Sequence, residues 1–567
     1  EEMPRTTWQP HNLLIFFVFV VAGFFILQPA AFLLFGSVWS SPPGRPGHLT
    51  GSNYAEVLRD PFLGRVLFNT FVFAAGSSLI AIALGSTLAF LATRTDVPFK
   101  KAIIYSPILT FAMPSSVESM GWTFLLSPRT GLVNVAFMRL TGVEEPLVNL
   151  YTLAGMTLVM GINLLPVAFL MTAPAFTLFD RSLEEMGRAS GGGLLQVYRR
   201  IILPLVLPSI ASAFIYCFIV AIEAFDTPAI VGIPAGVYVL TTTIYTQMVS
   251  EVPPRYGTAT AYSAVLLALS LILITLYNRF AKSADRYATL TGRSGGSAVI
   301  SLGKYKPLAA VLVLGYLLIH PIPLMATLAV ASVQRFWNPD RLLTNITLDN
   351  YEKFFSYPVT GTAFINSIIV SASSTALAVA VGFLAAYFSL RRKLTGGQTF
   401  TTILSIPLAI SPLVLAVGVF WSVLYVDIGL YGTVGALVYA YSLRYTPLVV
   451  RFLSGPMLQI HRELEDSAVV CGGGRLRTIT NITLPLLRGA ASTAALYVFI
   501  RTITDLGIAV LLVTHQSTVL STTLFALWNT GEKLTVVAGG LVYTVVLLLL
   551  LLAAHRLGFR VLQPTTR

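Results

Sequence analysis

Charge is scarce in this chain, and so is cysteine. Only 11% of the 567 residues are Asp, Glu, Lys or Arg, against 55% hydrophobic ones, and the mean hydropathy is +0.78. A water-soluble chain of this length has no core large enough to hide so much apolar surface. The two cysteines, Cys217 and Cys471, supply neither a disulfide framework nor a metal-ligand cluster. Strand-like alternation is missing from the apolar runs, which excludes a barrel. A G-x-x-x-x-G-K-[ST] phosphate loop is missing too: Gly303-Lys304 is followed by Tyr305 and lacks the earlier glycine. No outer segment is long enough to hold a solute-binding domain.

What the chain does have is long apolar runs, each near the ~20 residues that a bilayer-crossing helix needs. They fall near 13–35, 66–92, 102–126, 151–178, 204–227 and 258–279, and again near 307–331, 364–390, 401–425, 434–454, 485–511 and 535–554. The expected class is an all-α integral membrane protein of twelve spans. The first run exceeds a signal-peptide core and has no clear cleavage site, so it reads as a retained helix. Most of the 37 Lys and Arg residues fall between spans on one side, for example Lys100, Lys101, Arg199, Arg200, Arg391, Arg392 and Lys393. The positive-inside rule then puts both termini in the cytosol, and the net charge of +13 needs no nucleic acid to explain it.

The sequence repeats itself. Asn53-Tyr54 returns as Asn350-Tyr351, Pro61 as Pro358, Asn69-Thr70 as Asn366-Ser367 and Gly85 as Gly382, all at an offset of 297. Pro166 then matches Pro447, and Leu203-Pro204 matches Leu484-Pro485, at an offset of 281. Two six-span halves, 1–280 and 307–567, are therefore joined by a polar, basic linker over 281–306. An even number of spans per half makes the repeats parallel, with a pathway between them.

The inner loop after the fourth span of each half, 181–204 and 462–485, carries the sharpest pattern. Leu183-Glu184-Glu185-Met186-Gly187 leads to Gly191 and then to Ile201, Leu203 and Pro204; Leu464-Glu465-Asp466-Ser467-Ala468 leads to Gly472, Ile482, Leu484 and Pro485. Each reads as a short helix with acids in its early turns, a glycine stop, and an amphipathic stretch running to a proline at the head of the next span. Ser182 and Glu185 add capping-box spacing in the first half only. Such a hydrophilic helix, held at both ends, suits docking into another protein's groove.

Ionisable groups inside predicted spans are costly, on the order of 2.5–3.5 kcal/mol at mid-bilayer. Glu118, Glu223, Asp226, Arg444 and Asp505 are the candidate pathway residues, with Arg501 one turn before Asp505. Paired acids near the outer mouth of both halves would suit a cation or polar solute. A plainer account has Arg501 and Asp505 neutralise each other, and Glu223 and Asp226 face interfacial water. Prolines 107, 114, 166, 407, 412 and 447 predict kinked spans, and the small residues around 82–89 and 379–386 predict close helix packing.

The two loops resemble the EAA motif of binding-protein-dependent ABC transporter permeases: Glu-Ala-Ala, three residues, Gly, nine residues, Ile-x-Leu-Pro. Glu185, Gly191, Ile201, Leu203 and Pro204 fit it, as do Gly472, Ile482, Leu484 and Pro485; Met186-Gly187 and Asp466-Ser467-Ala468 depart from it while keeping an acid and mostly small residues. The resemblance implies the type I importer permease fold, in a bacterial inner membrane, with these loops as coupling helices. It further implies two copies of a cytoplasmic ATPase that holds the ATP and magnesium, a separate extracytoplasmic binding protein, and no cofactor or catalysis in this chain. Thr241-Thr-Thr-Ile-Tyr245, Tyr256-Gly257 and Arg444-Tyr-Thr-Pro447 look like the iron(III) importer group, whose relatives include thiamine and phosphonate permeases. An ion-coupled secondary transporter, the rival from another class, would not need the paired docking loops.

Overall fold

The computed structural model describes residues 10–177, 196, 199–200, 203–288, 300–342, 344–391, 403–426, 429–472 and 474–556. Its first half runs through α1 (Pro10–Ser37), α2 (Ser52–Arg59), α3 (Leu63–Arg94), α4 (Lys100–Ala112), α5 (Ser115–Leu126), α6 (Leu132–Thr141), α7 (Leu153–Thr177), α8 (Leu203–Glu223), α9 (Leu240–Tyr245) and α10 (Tyr256–Ala288). The second half continues with α11 (Lys306–Ile319), α12 (Ile322–Ser332), α13 (Asp349–Ser356), α14 (Pro358–Ala386), α15 (Pro412–Tyr425), α16 (Val434–Gln459), α17 (Arg462–Val470), α18 (Leu484–Thr504), α19 (Ala509–Leu512), α20 (Leu520–Asn529) and α21 (Lys533–Arg556). Among the described residues, eight helices are long and apolar enough to cross a membrane, or ten if each of two bent pairs is one span. Large apolar side chains such as Phe68, Phe71, Leu79 and Ile365 are exposed, as a lipid-facing surface requires.

Several expected spans prove to be interrupted. The third, 102–126, is two helices parted at Met113-Pro114; the ninth bends by 118° between Ile403–Ala409 and Pro412–Tyr425. In both cases a proline that cannot continue the preceding ladder starts a new helix instead. The fifth and eleventh spans stop short, at Glu223 and Thr504. After the fifth, the chain forms a pair, Pro228–Ala235 and Leu240–Ser250, bent by 79°. By contrast α7 and α16 stay helical through Pro166 and Pro447.

The sequence repeat becomes a repeat of hydrogen bonds. Asn53 Nδ2 donates to the carbonyls of Ser37 (3.1 Å) and Trp39 (2.9 Å), and Asn350 Nδ2 to those of Ser332 (2.9 Å) and Gln334 (2.7 Å). Tyr54 OH reaches Ser37 Oγ at 2.9 Å, and Tyr351 OH reaches Ser332 Oγ at 2.8 Å. Further along, Asn69 and Asn366 donate to the carbonyls of Tyr238 and Thr518, while Thr70 and Ser367 accept from the Leu240 and Leu520 amides. These four side chains tie the second span of each half to the re-entry that follows its fifth. Small residues set the spacing elsewhere: a Cβ on Gly85 would lie 2.7 Å from Ala168 Cβ, and one on Gly382 would lie 2.8 Å from Val449 Cβ.

Each half lends its first span to the other. α1 packs on α15, where Gly418 leaves room for the Pro29 carbonyl, and Tyr439 OH donates to the Phe25 carbonyl at 2.6 Å. In the mirror arrangement α12 packs on α5, with Gly121 against the Leu324 side chain. Trp421 Nε1 also donates to Thr260 Oγ1 at 3.0 Å, joining α15 to α10. On the side of the loop between α3 and α4, Asp96 accepts from the Leu302 amide and from Lys306 Nζ (3.0 Å), which together hold its carboxyl below the usual carboxylate range.

Asn350→Ala takes the donor away from two carbonyls at a buried position, so a loss of about 1–3 kcal/mol is expected. Asn53→Ala should cost a similar amount. Denaturant or thermal unfolding of the purified variants measures both, and unchanged midpoints would remove these asparagines as anchors.

Candidate functional site

Where the spans break, backbone groups lose their helical partners inside the bilayer and must find others. The turn Ile406–Ala409 ends in that situation. Arg444, on α16, resolves it: its Nη1 donates to the carbonyls of Pro407 (3.0 Å), Leu408 (3.1 Å) and Ile410, and its Nη2 reaches Glu223 Oε2 at 3.3 Å. Both partners of this ion pair are largely buried, and they belong to different halves. Charge-assisted bonds of this kind are the strong ones, and a fork-shaped donor can serve several acceptors at once.

The other candidate residues gather around it. Asp505 follows the last residue of α18, where its Oδ2 accepts from Tyr441 OH (3.1 Å) and from the Ile508 amide (2.8 Å) just ahead of α19. Asp226 accepts from Ser115 Oγ at the head of α5, and Ser119 Oγ meets Thr227 Oγ1 at 2.9 Å. Asp226 lies within electrostatic reach of Asp505 and Glu118. Glu118 itself meets His320 Nε2 at 2.7 Å, with both side chains buried. Trp122 stacks on the His320 ring at 6.0 Å and donates to Asn163 Oδ1 at 2.8 Å. Among the described residues, no three His, Cys, Asp or Glu side chains are grouped so as to hold a metal ion.

The five candidate pathway residues thus form one polar layer crossing both halves. Parts of the plainer account are refined by the contacts. Among the described residues Arg501 and Asp505 make no direct ion pair, although each stands within electrostatic reach of the other; the carboxylate accepts from Tyr441 and Ile508, and Glu223 is buried against Arg444. His320 and Tyr441 escaped the sequence reading. A signal existed for the first: His320 is the one strongly ionisable side chain in the apolar run 307–331, and it stands next to Pro321.

At the opposite end of α18, the second loop forms α17, with Glu463 and Glu465 in its first turn and Asp466 beyond them. Gly472 has φ +80°, a left-handed conformation that suits a residue without Cβ. The chain then passes through Arg475–Thr478 and Ile479–Thr483, which includes Ile482, directly into α18 at Leu484-Pro485. Thr483 Oγ1 donates to Glu465 Oε1 at 2.9 Å, fastening the loop helix to the root of the span. Leu464 and Val470 are exposed on α17, at 48% and 86%. In the first loop Glu184, Glu185, Gly191 and Ile201 lie outside the described residues, as does the Ser182/Glu185 cap; Leu203 and Pro204 begin α8.

Comparison with known proteins agrees with this architecture. Residues 47–286 and 378–563 match the family model of the binding-protein-dependent transport system inner membrane component. A ferric transport system permease protein of Actinobacillus pleuropneumoniae is 24% identical over 543 residues, covering 94% of this chain and 76% of the relative. A putative ferric transport system permease protein of Haemophilus influenzae is 23% identical, covering 88% and 78%. An sn-glycerol-3-phosphate transport system permease protein of Yersinia pseudotuberculosis is 27% identical over 297 residues; the match covers 50% of this chain and 97% of the relative.

Arg444→Met would strand the Glu223 carboxylate and three carbonyls, so a loss of about 3–5 kcal/mol is expected, as for other broken buried pairs. Adding Glu223→Leu should recover part of it. A double-mutant cycle in unfolding experiments checks this, and additive effects would mean that the two side chains are not coupled.

Proposed function

The chain belongs to the family of inner-membrane components of binding-protein-dependent transport systems, the permeases of ABC importers, and from that membership we propose its cargo and its working parts. The cargo is ferric iron. The observation that carries this reading is coverage: the relatives that match across both fused halves are ferric permeases, whereas the glycerol-3-phosphate permease matches about half of the chain.

The motor is two copies of a separate cytoplasmic ATPase, and an extracytoplasmic binding protein delivers the iron. Both termini lie in the cytosol, on the side of the two docking loops. α17 is the docking element of the second half: it offers acids in its first turn and exposed Leu464 and Val470 to a protein groove. Closure of the ATPase pushes on α17, and the Thr483–Glu465 bond passes that push to α18, the helix that ends at Asp505 in the polar layer. The loop 181–204, with Glu184, Glu185 and Gly191, does the same for α8 and Glu223. Between the halves, Glu118, Glu223, Asp226, Arg444 and Asp505 bound the pathway.

The chain alone is expected to hydrolyse no ATP. Gly472→Val forces a β-branched residue into a left-handed conformation, which disfavours it by about 1–2 kcal/mol. The variant should insert normally yet lose copurification of the ATPase and uptake of radiolabelled iron in proteoliposomes. Normal copurification together with normal uptake would remove the loop from the coupling mechanism. Failure of the wild-type complex to take up iron would remove the cargo assignment.

A further inference from the structure

One helix of the polar layer is bonded differently from its counterpart in the other half. Gly121 on α5 and Gly418 on α15 correspond at the repeat offset of 297, and each makes room for the other half's first span. On α5, Ser115, Glu118, Ser119 and Trp122 fall at i, i+3, i+4 and i+7, which is one face of the helix. At the same offset α15 carries Pro412, Leu415, Ala416 and Val419, and none of these side chains can form a hydrogen bond. The polar face belongs to α5 and not to α15.

Its bonds lead to three separate elements. Ser115 Oγ donates to Asp226 and Ser119 Oγ meets Thr227 Oγ1 at 2.9 Å, so α5 grips the residues between the end of α8 and the re-entry that starts at Pro228. Trp122 Nε1 donates to Asn163 Oδ1 on α7 at 2.8 Å. Glu118 meets His320 Nε2 at 2.7 Å, across the seam between the halves. Every residue of α5 from Ser116 to Leu126 is buried. A close-packed interior transmits strain, so α5 cannot shift without moving these partners.

His320 occupies the place where the second half's first span is interrupted. It is extended backbone between α11 and α12. One turn before it, Tyr316 OH meets Ser106 Oγ on α4 at 2.9 Å; beyond it, α12 packs on α21 as well as on α5. Nδ1 of His320 is buried without a partner, which leaves Glu118 as the imidazole's one hydrogen bond among the described residues. In the second half the carboxylate past the end of α18, Asp505, is bonded instead to Tyr441 and the Ile508 amide. Those bonds stay within that half.

We propose that α5 carries motion from the first half into the second, with Glu118 and His320 as the positioning pair at the crossing. Resting on the reading above, in which the ATPase acts on α8, the displacement of α8 moves Asp226 and Thr227. These move α5 through Ser115 and Ser119, and Glu118 then moves the junction of α11 and α12 through His320.

The test uses the full chain with its ATPase and binding protein in proteoliposomes, and reads iron taken up per ATP hydrolysed beside the thermal unfolding midpoint. Glu118→Leu or His320→Leu alone strands a buried polar partner and should lower both. The double variant Glu118→Leu/His320→Leu strands nothing, so its midpoint should recover. Its uptake per ATP should stay at least about threefold below wild type, a loss in the range of such couplings. Glu118→Gln, whose amide oxygen still accepts from His320, should keep most of the ratio. Ser115→Ala/Ser119→Ala, which breaks the other end, should lower it, and this variant carries the test if the leucine variants do not assemble with the ATPase. A double variant that recovers both midpoint and ratio overturns the transmission role, and so does a normal ratio in Ser115→Ala/Ser119→Ala. If wild-type vesicles take up no iron, the ferric reading fails and the stimulation of ATP hydrolysis by the binding protein is read in place of the ratio, with the same two outcomes. A normal ratio in Gly191→Val beside a lowered one in the double leucine variant would sink the reading of the first docking loop and leave the role of α5 standing.

Discussion

A hydrocarbon interior offers no water to a freed backbone carbonyl, and this chain frees several of them where its spans break. Three belong to Pro407, Leu408 and Ile410, where the ninth span turns through 118°. Arg444 satisfies all three and is itself balanced by Glu223 from the other half. Remove that guanidinium and the bend, the contact between halves and the burial of Glu223 lose their common support. The interrupted helices are therefore tolerable because a charge from a neighbouring span completes them.

The same logic accounts for the rest of the polar layer. Asp505 satisfies the amide that opens α19, and Ser115, at the head of α5, is spent on Asp226. Glu118 draws its partner, His320, from the opposite half, so the layer is also a seam. The layer is not symmetric: the first half contributes three carboxylates, Glu118 on α5, Glu223 at the end of α8 and Asp226 just past it, and the second half contributes His320, Tyr441, Arg444 and Asp505. Two halves with the same fold have thus diverged into complementary surfaces, which is possible because a fused chain always presents one of each.

Much of this was legible in the sequence. Period, length and flanking charge located most of the spans, and Asn53-Tyr54 against Asn350-Tyr351 announced anchors that recur bond for bond. The charged residues within the spans were visible because each is expensive. Their partners were not, because cost is a property of one residue whereas pairing depends on how helices cross: nothing near Glu118 in the sequence points to His320, 202 positions away. Apolar windows were equally blind to direction. The runs 102–126 and 401–425 look continuous by composition, yet Pro114 and Pro412 each begin a new helix. The i, i+4 spacing of Arg501 and Asp505 suggested a direct pair, but the carboxylate's hydrogen bonds come from Tyr441 and the Ile508 amide, which no spacing within α18 reveals.

The exchange of first spans has a consequence for biosynthesis. α1 seats its Pro29 carbonyl against Gly418, a residue synthesised nearly 400 positions later. At a translation rate of about 5–20 residues per second, the first helix waits roughly 20–80 s in the bilayer before its groove exists. Throughout that interval the nascent first half carries a span without its final neighbour, while α5 lacks the cover that α12 will bring. Each first span also packs on its own half, α1 on α10 and α12 on α21, so what waits is the contact across the seam. Closure of the seam between the halves is therefore deferred until α15 has been made.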